Sequence, residues 1–262
     1  MPQTQQYPGE PDGPPALSFL DVMRGWIAWW DATDDETKII DTRDGGQHWH
    51  DISHQPLQRI QMVNDSRGYG IDRGELYRTN DGGRSWLQTK TPHIAHIDRL
   101  FFLTPELGWI EGVDENDLFV FRTVDGGRDW QESRSAAPPQ PASVRDLFFL
   151  DQQRGWLLTW GYNDEGSYLY STIDGGQHWT ADPDQSFQGK GKFASVVRFT
   201  SKDRGFVFVD DNGQSRIVYT TDGGTHWYKH ALPRLVSNCQ VFEGDLLCSA
   251  VPGFHLLTVH PK

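Results

Sequence analysis

The sequence has only two cysteines, Cys239 and Cys248, in 262 residues. That is too few for a disulfide-dense scaffold or a four-thiolate zinc site. Basic residues are also scarce: 24 Lys and Arg stand against 36 Asp and Glu, leaving a net charge of −12. A chain whose main work is gripping phosphates needs a basic footprint, so the balance argues against nucleic acid as a partner. No apolar run approaches the roughly 18 residues of a membrane helix. Long helical patterns are absent, and hydrophobic residues make up only 36%. Yet aromatics reach 13%, with 11 Trp, which a disordered chain does not carry. With 27 Gly and 15 Pro, the composition is that of short strands joined by turns, an all-β protein.

Residues 1–15, MPQTQQYPGEPDGPP, are polar and proline-rich and read as a flexible leader. They lack the charged and apolar regions of an export signal. Two readings stay open: a cytoplasmic protein with a loose tail, or an exported one whose signal has been replaced.

Internal repetition organises the rest. The string T-x-D-G-G-x-x-W occurs at Thr42–Trp49, Thr79–Trp86, Thr123–Trp130, Thr172–Trp179 and Thr220–Trp227. Each copy is preceded by a second string, an apolar run, a polar turn and Gly-aromatic: FLDVMRGW (19–26), VNDSRGY (63–69), FLTPELGW (102–109), FLDQQRGW (149–156) and FTSKDRGF (199–206). Each unit parses into four short strands. In the fourth, VRDLFFL is the first strand, GWLLTW the second, SYLYST the third, and the Asp-Gly-Gly turn leads into the last. The paired glycines supply the positive φ that tight hairpins need, and the Asp and Thr side chains are placed to bond turn amides. Repeated four-stranded units of this length are propeller blades.

The T-x-D-G-G-x-x-W string resembles the Asp-box, or BNR repeat, of sialidases, xyloglucan-cleaving enzymes, sortilin-type receptors and photosystem II assembly factors. Together with the F-x-D-x-x-x-G-W string it is most similar to the Ycf48/HCF136-type assembly-factor propellers, over about residues 16–230. The resemblance implies a propeller and a protein partner; it implies nothing about a pigment. On it, Asp44, Asp81, Asp125, Asp174 and Asp222, with Trp49, Trp86, Trp130, Trp179 and Trp227, are structural box residues.

The repeats divide the chain at about 16–53, 57–90, 97–134, 144–182 and 193–230, and a degenerate last blade at 235–262 offers three strands. Six blades are expected, with seven or five as alternatives. The missing fourth strand would come from the leader, near Thr4–Tyr7. If Glu243-Gly244 are the loop of a hairpin, Cys239 faces Cys248 as a non-hydrogen-bonded pair. A disulfide is permitted there and would place the protein in an oxidising compartment, periplasmic or extracellular; two buried thiols are the alternative.

Function must sit on residues the repeat does not use. Trp30 and Trp160 each fall five residues after their Gly, where the second strand meets its loop. They either line a mouth or pack between blades. The second-to-third-strand loops are acidic, with Asp34, Asp35, Glu36, Glu111, Asp114, Glu115, Asp164 and Glu165, and would steer a partner with a basic surface. At the other end Arg24, Arg67, Arg154 and Arg204 precede their blade's Gly. They either offer guanidinium groups to a partner, or pair with nearby Asp-box acids or cover the adjacent Trp. No Arg-Ile-Pro element of a sialidase, Ser-His-Asp triad, P-loop or dinucleotide motif is present. His93 and His96 alone are weak evidence for a metal. The expectation is a non-enzymatic protein-binding scaffold, assembly factor or blocking partner of the bacterial envelope, monomeric on its own and without a cofactor or metal. The alternative is a carbohydrate-binding or glycoside-hydrolysing, sialidase-like propeller.

Overall fold

The alternation of apolar and polar residues folds into antiparallel meanders. The structure, a computed structural model, describes residues 16–31, 36–92, 94, 96–114, 117–133, 143–161, 166–182, 192–211, 214–231, 235–242, 245–251 and 255–259. The chain divides into two compact units, residues 1–91 and 92–262.

The first unit holds two four-stranded sheets. One is β1 (Ala16–Phe19), β2 (Gly25–Asp31), β3 (Glu36–Thr42) and β4 (His50–Ser53). The other is β5 (Arg59–Met62), β6 (Gly68–Asp72), β7 (Glu75–Thr79) and β8 (Leu87–Gln88). The second unit holds three more: β9 (His96–Phe102), β10 (Gly108–Asp114), β11 (Asp117–Thr123) and β12 (Gln131–Ser133); β13 (Ser143–Phe149), β14 (Gly155–Trp160), β15 (Ser167–Thr172) and β16 (Thr180–Ala181); and β17 (Lys192–Phe199), β18 (Gly205–Asp211), β19 (Gln214–Thr220) and β20 (Tyr228–Ala231). A three-stranded sheet follows, β21 (Leu235–Phe242), β22 (Asp245–Val251) and β23 (His255–Val259). In every sheet, strands adjacent in sequence are adjacent in space, the order of a propeller blade. The all-β fold with four-stranded antiparallel blades is as expected; among the described residues there are five such blades, one of the stated alternatives, and only a three-stranded sheet stands where a sixth was expected. The fourth strand expected from Thr4–Tyr7 lies outside the described residues.

One device recurs in all five blades and accounts for the spacing of both strings. The first strand ends on a large side chain, and the glycine that starts the second strand pairs with it: Phe19 with Gly25, Met62 with Gly68, Phe102 with Gly108, Phe149 with Gly155, Phe199 with Gly205. That side chain lies across the glycine. A Cβ at Gly155 would stand 2.5 Å from the Phe149 ring, and one at Gly108 2.3 Å from Phe102. The box Trp of the same blade then meets the ring edge-on, Trp179 on Phe149 with centroids 6.0 Å apart and Trp227 on Phe199 at 6.2 Å.

The Trp after that glycine does not fold back on its own hairpin. It reaches the following blade. Trp109 stacks on Phe149 at 3.6 Å, and Trp156 stacks on Phe199 at 3.6 Å. The Trp109 indole N–H donates to the carbonyl of Gly175 at 2.9 Å, and in the first unit Trp26 donates to Gly82 at 2.9 Å. A stacked aromatic pair adds about 0.5–1.5 kcal/mol beyond its area burial. The repeat is therefore both a blade and the socket for its neighbour.

Candidate functional site

The two turns at the box end of each blade are tied together. The first box glycine donates its N–H to a carbonyl of the other turn: Gly45 to Met23 at 2.9 Å, Gly82 to Ser66, Gly126 to Glu106, Gly175 to Gln153 and Gly223 to Asp203. Inside the box, the Thr172 hydroxyl donates to Asp174 Oδ1 at 2.8 Å and accepts the Gly176 N–H at 3.0 Å. Asp174 Oδ1 also accepts the His178 N–H, and Oδ2 contacts His178 Nδ1 at 2.7 Å. Partial burial pushes the Asp174 pKa up, but those bonds from His178 and Thr172 outweigh it and hold the group at about 2. The ring and amide of His226 do the same for Asp222, also at about 2. The Asp44, Asp81 and Asp125 carboxyls are lowered too; Ser85 and Asp129 stand where the others have His. Both box glycines have positive φ in every copy. All of this chemistry is spent inside the turn.

The first turn is capped the same way in each blade. Asp21, Asn64, Thr104, Asp151 and Ser201 accept two successive amides apiece, those of Met23 and Arg24 in the first blade. For two of the four arginines, the alternative of pairing with box acids is corrected. Arg24 bonds Asp21 of its own turn and Asp65 of the next blade, and Arg154 bonds Asp151; neither takes a box acid. The box acids are already occupied by their own turns. Arg67 and Arg204 hold the same position and give their backbone N–H to Asn64 and Ser201. Two apolar side chains project outward from the box tips of successive blades, Val124 (64% exposed) and Ile173 (79%).

The opposite blade ends are tighter than expected. β6 and β7 are joined by only Arg73-Gly74, and of the acids assigned to loops Glu36 and Asp114 stand on strand ends. Glu111 lies within β10 and is fully buried, so it is not a loop residue. Glu36 starts β3 with its carboxylate 3.2 Å from His54 Nδ1. Asp114 ends β10, and Trp30 falls in β2; their side chains are outside the described set. Asp34, Asp35, Glu115, Asp164, Glu165 and His93 also lie outside the described residues.

Trp160 is the expected residue that the structure brings into a cluster. It ends β14, half-buried, paired with Ser143 of β13. The Arg145 guanidinium sits 4.3 Å above its ring, and Phe193 of β17 lies 4.4 Å away at a 37° tilt. Arg145 is the extra residue of a β-bulge between Val144 and Asp146, which turns an exposed arginine toward the ring. Partial burial, with Arg99 nearby, lowers the Arg145 pKa. Arg99 donates from Nε to the Arg145 carbonyl at 2.8 Å. Among the described residues neither guanidinium meets a carboxylate. The adjacent Asp146 is taken instead by Arg198 and the Val197 amide, in a half-sheltered contact with the next blade. Arg99, Arg145 and Phe193 were not anticipated from sequence. The only available signal was the break in strand alternation that a bulge produces.

No family model matches the chain, and no curated protein matches it. Solved structures do. The chain is similar to YCF48 bound to a D1 peptide, with 16% identity, a TM-score of 0.61 and 99% of each chain covered. It is similar to YCF48 from Cyanidioschyzon merolae, with 14% identity, a TM-score of 0.58 and 98% of each chain covered. It also resembles the GH74 xyloglucanase from Xanthomonas campestris, with 13% identity and a TM-score of 0.63, over 94% of this chain but 44% of that one. At these identities the likeness shows the fold: a Ycf48-like propeller.

Proposed function

We propose that this chain is a non-enzymatic propeller that binds another protein, as an assembly factor or blocking partner in the bacterial envelope. One observation carries the reading: an exposed guanidinium, Arg145, laid on an aromatic shelf of Trp160 and Phe193 and left without a carboxylate among the described residues. Arg and Trp on a half-buried shelf are the side chains that dominate protein interfaces. A YCF48 structure of the same fold holds a D1 peptide, which favours a peptide or protein ligand here. The acidic strand ends and loops steer the partner's basic surface toward the propeller. We read the three-stranded sheet as a sixth blade and the protein as a monomer when unbound.

The carbohydrate alternative draws on the xyloglucanase likeness and on Trp160. A sugar platform needs an open aromatic face, and the Arg145 guanidinium lies across that of Trp160.

The test is retention of partners by the immobilised protein from lysate and envelope fractions, beside its Trp160→Ala and Arg145→Ala variants. The expected result is one dominant, salt-sensitive protein that both variants lose while their thermal unfolding stays close to the parent's. Equal retention by the variants would move the contact elsewhere. Glycan recovered in place of protein would overturn the reading in favour of the carbohydrate one.

A further inference from the structure

We infer that Cys239 and Cys248 form a cross-strand disulfide that closes this three-stranded sheet, an oxidative lock in a segment whose sequence lacks the blade devices. This bridge is independent of the protein-binding role.

The backbone register sets Cys239 opposite Cys248. Counting outward from the Phe242–Asp245 pair that closes the hairpin, hydrogen-bonded and non-hydrogen-bonded pairs alternate, and the cysteines fall on a non-hydrogen-bonded one. Such pairs bring Cα atoms to about 4.5 Å, inside the range a disulfide spans. A slip of one residue would turn one cysteine to the other face. The irregularity in β21 lies between Val236 and Asn238, so the pairing from Asn238–Ser249 to Phe242–Asp245 runs unbroken through the two cysteines. These are the chain's only cysteines.

The surroundings supply the reason for a lock. Residues 235–259 contain no Trp, no T-x-D-G-G turn and no strand-opening glycine paired with an aromatic, so the devices that hold the five blades are absent. The sheet has three strands among the described residues, where each blade has four. A covalent tie between its first two strands replaces the lost stacking. With glutathione disulfide as oxidant, one cysteine thiolate attacks it and releases a glutathione thiolate. The second cysteine thiolate then attacks the protein sulfur of the mixed disulfide and releases the other. Two protein thiols become one disulfide, and two glutathione thiols carry away both electrons.

The test takes the reduced, full-length protein, exposes it to glutathione disulfide, quenches with acid and reads intact mass. The expected product has lost two hydrogen atoms and carries no glutathione. Cys248→Ser, which cannot close the bridge, retains a glutathione adduct on Cys239. The oxidised parent should melt roughly 5–10 °C above the Cys239→Ser/Cys248→Ser double variant, from loop-closure entropy over a ten-residue span in a chain of this size. Stable glutathione adducts on both cysteines of the parent, or thiols left unreacted, would show that the sulfurs do not meet. Identical melting of the oxidised parent and the double variant would overturn the locking role.

Discussion

In the blade of residues 143–181, Phe149 is held from three directions: Gly155 beneath it, Trp179 edge-on from its own turn, and Trp109 stacked on it from the preceding blade. In the sheet of residues 235–259, Phe242 ends the first strand at the same place, but Asp245 pairs with it and the sequence offers no Trp. Both regions begin as the same antiparallel hairpin. They differ in where cohesion comes from, aromatic stacking repeated along the chain in one and, by our inference, a covalent tie in the other.

The most severe way to break that contrast is to remove a stacking ring. Trp109→Ala deletes a fully buried indole that stacks on Phe149 and donates to Gly175. The expected loss is about 3–5 kcal/mol in urea unfolding, the range for large-to-small changes in a tight core. If the variant keeps the parent's midpoint, the stack is not what joins these blades.

Next in size is Gly155→Ala. The new methyl would stand 2.5 Å from the Phe149 ring, so the ring or the strand must move, at about 1–3 kcal/mol. Combining it with Phe149→Leu sharpens the comparison. The smaller side chain relieves the clash, so the double variant should lose less than the sum of the singles. Strict additivity would mean that Gly155 and Phe149 are not the coupled pair the blade is built around.

These residues also mark how far the sequence could be read. The blades were legible because the glycine, the box and the box Trp are local devices whose spacing is fixed by one hairpin. The direction of Trp109 was not, since its partners Phe149 and Gly175 lie in the following blade and no spacing within one repeat reveals them. The partners of Arg24 and Arg154 show the converse: Asp21 and Asp151 stand three residues before them in the same turn, while the oxygens of a box acid such as Asp174 are filled within its own turn. Of the candidate site, Trp160 was visible as an extra aromatic, but Arg145 reaches it only through a bulge.

Smaller again is the loss of a box acid. Asp174→Ala removes the acceptor of the Thr172 and His178 bonds and should cost about 1–2 kcal/mol. The pH dependence follows from the shift. The folded pKa, about 2, is depressed below the ordinary 3.8, so the carboxylate's contribution is complete above that ordinary value and vanishes as pH falls through about 2. Acid unfolding between pH 4 and pH 2 should therefore be shallower in Asp174→Ala than in the parent, and shallower still with Asp222→Ala added. Parallel curves would place the acid-sensitive groups outside the boxes.

The smallest effect belongs to the arginine before the glycine. Arg154 is 42% exposed and pairs with an equally open Asp151 at 3.3 Å, a contact that solvent and salt weaken. The molecule already contains the comparison: in the third blade Leu107 takes that place, and the turn keeps its two bonds to Thr104 and its link from Gly126 to Glu106. A turn that closes equally well around leucine does not depend on a guanidinium. Arg154→Leu should therefore change unfolding stability by about 0.5 kcal/mol or less. A loss several times larger, persisting in high salt, would show that the arginine packs the blade through its aliphatic stem, and that Leu107 is the third blade's way of filling the same space.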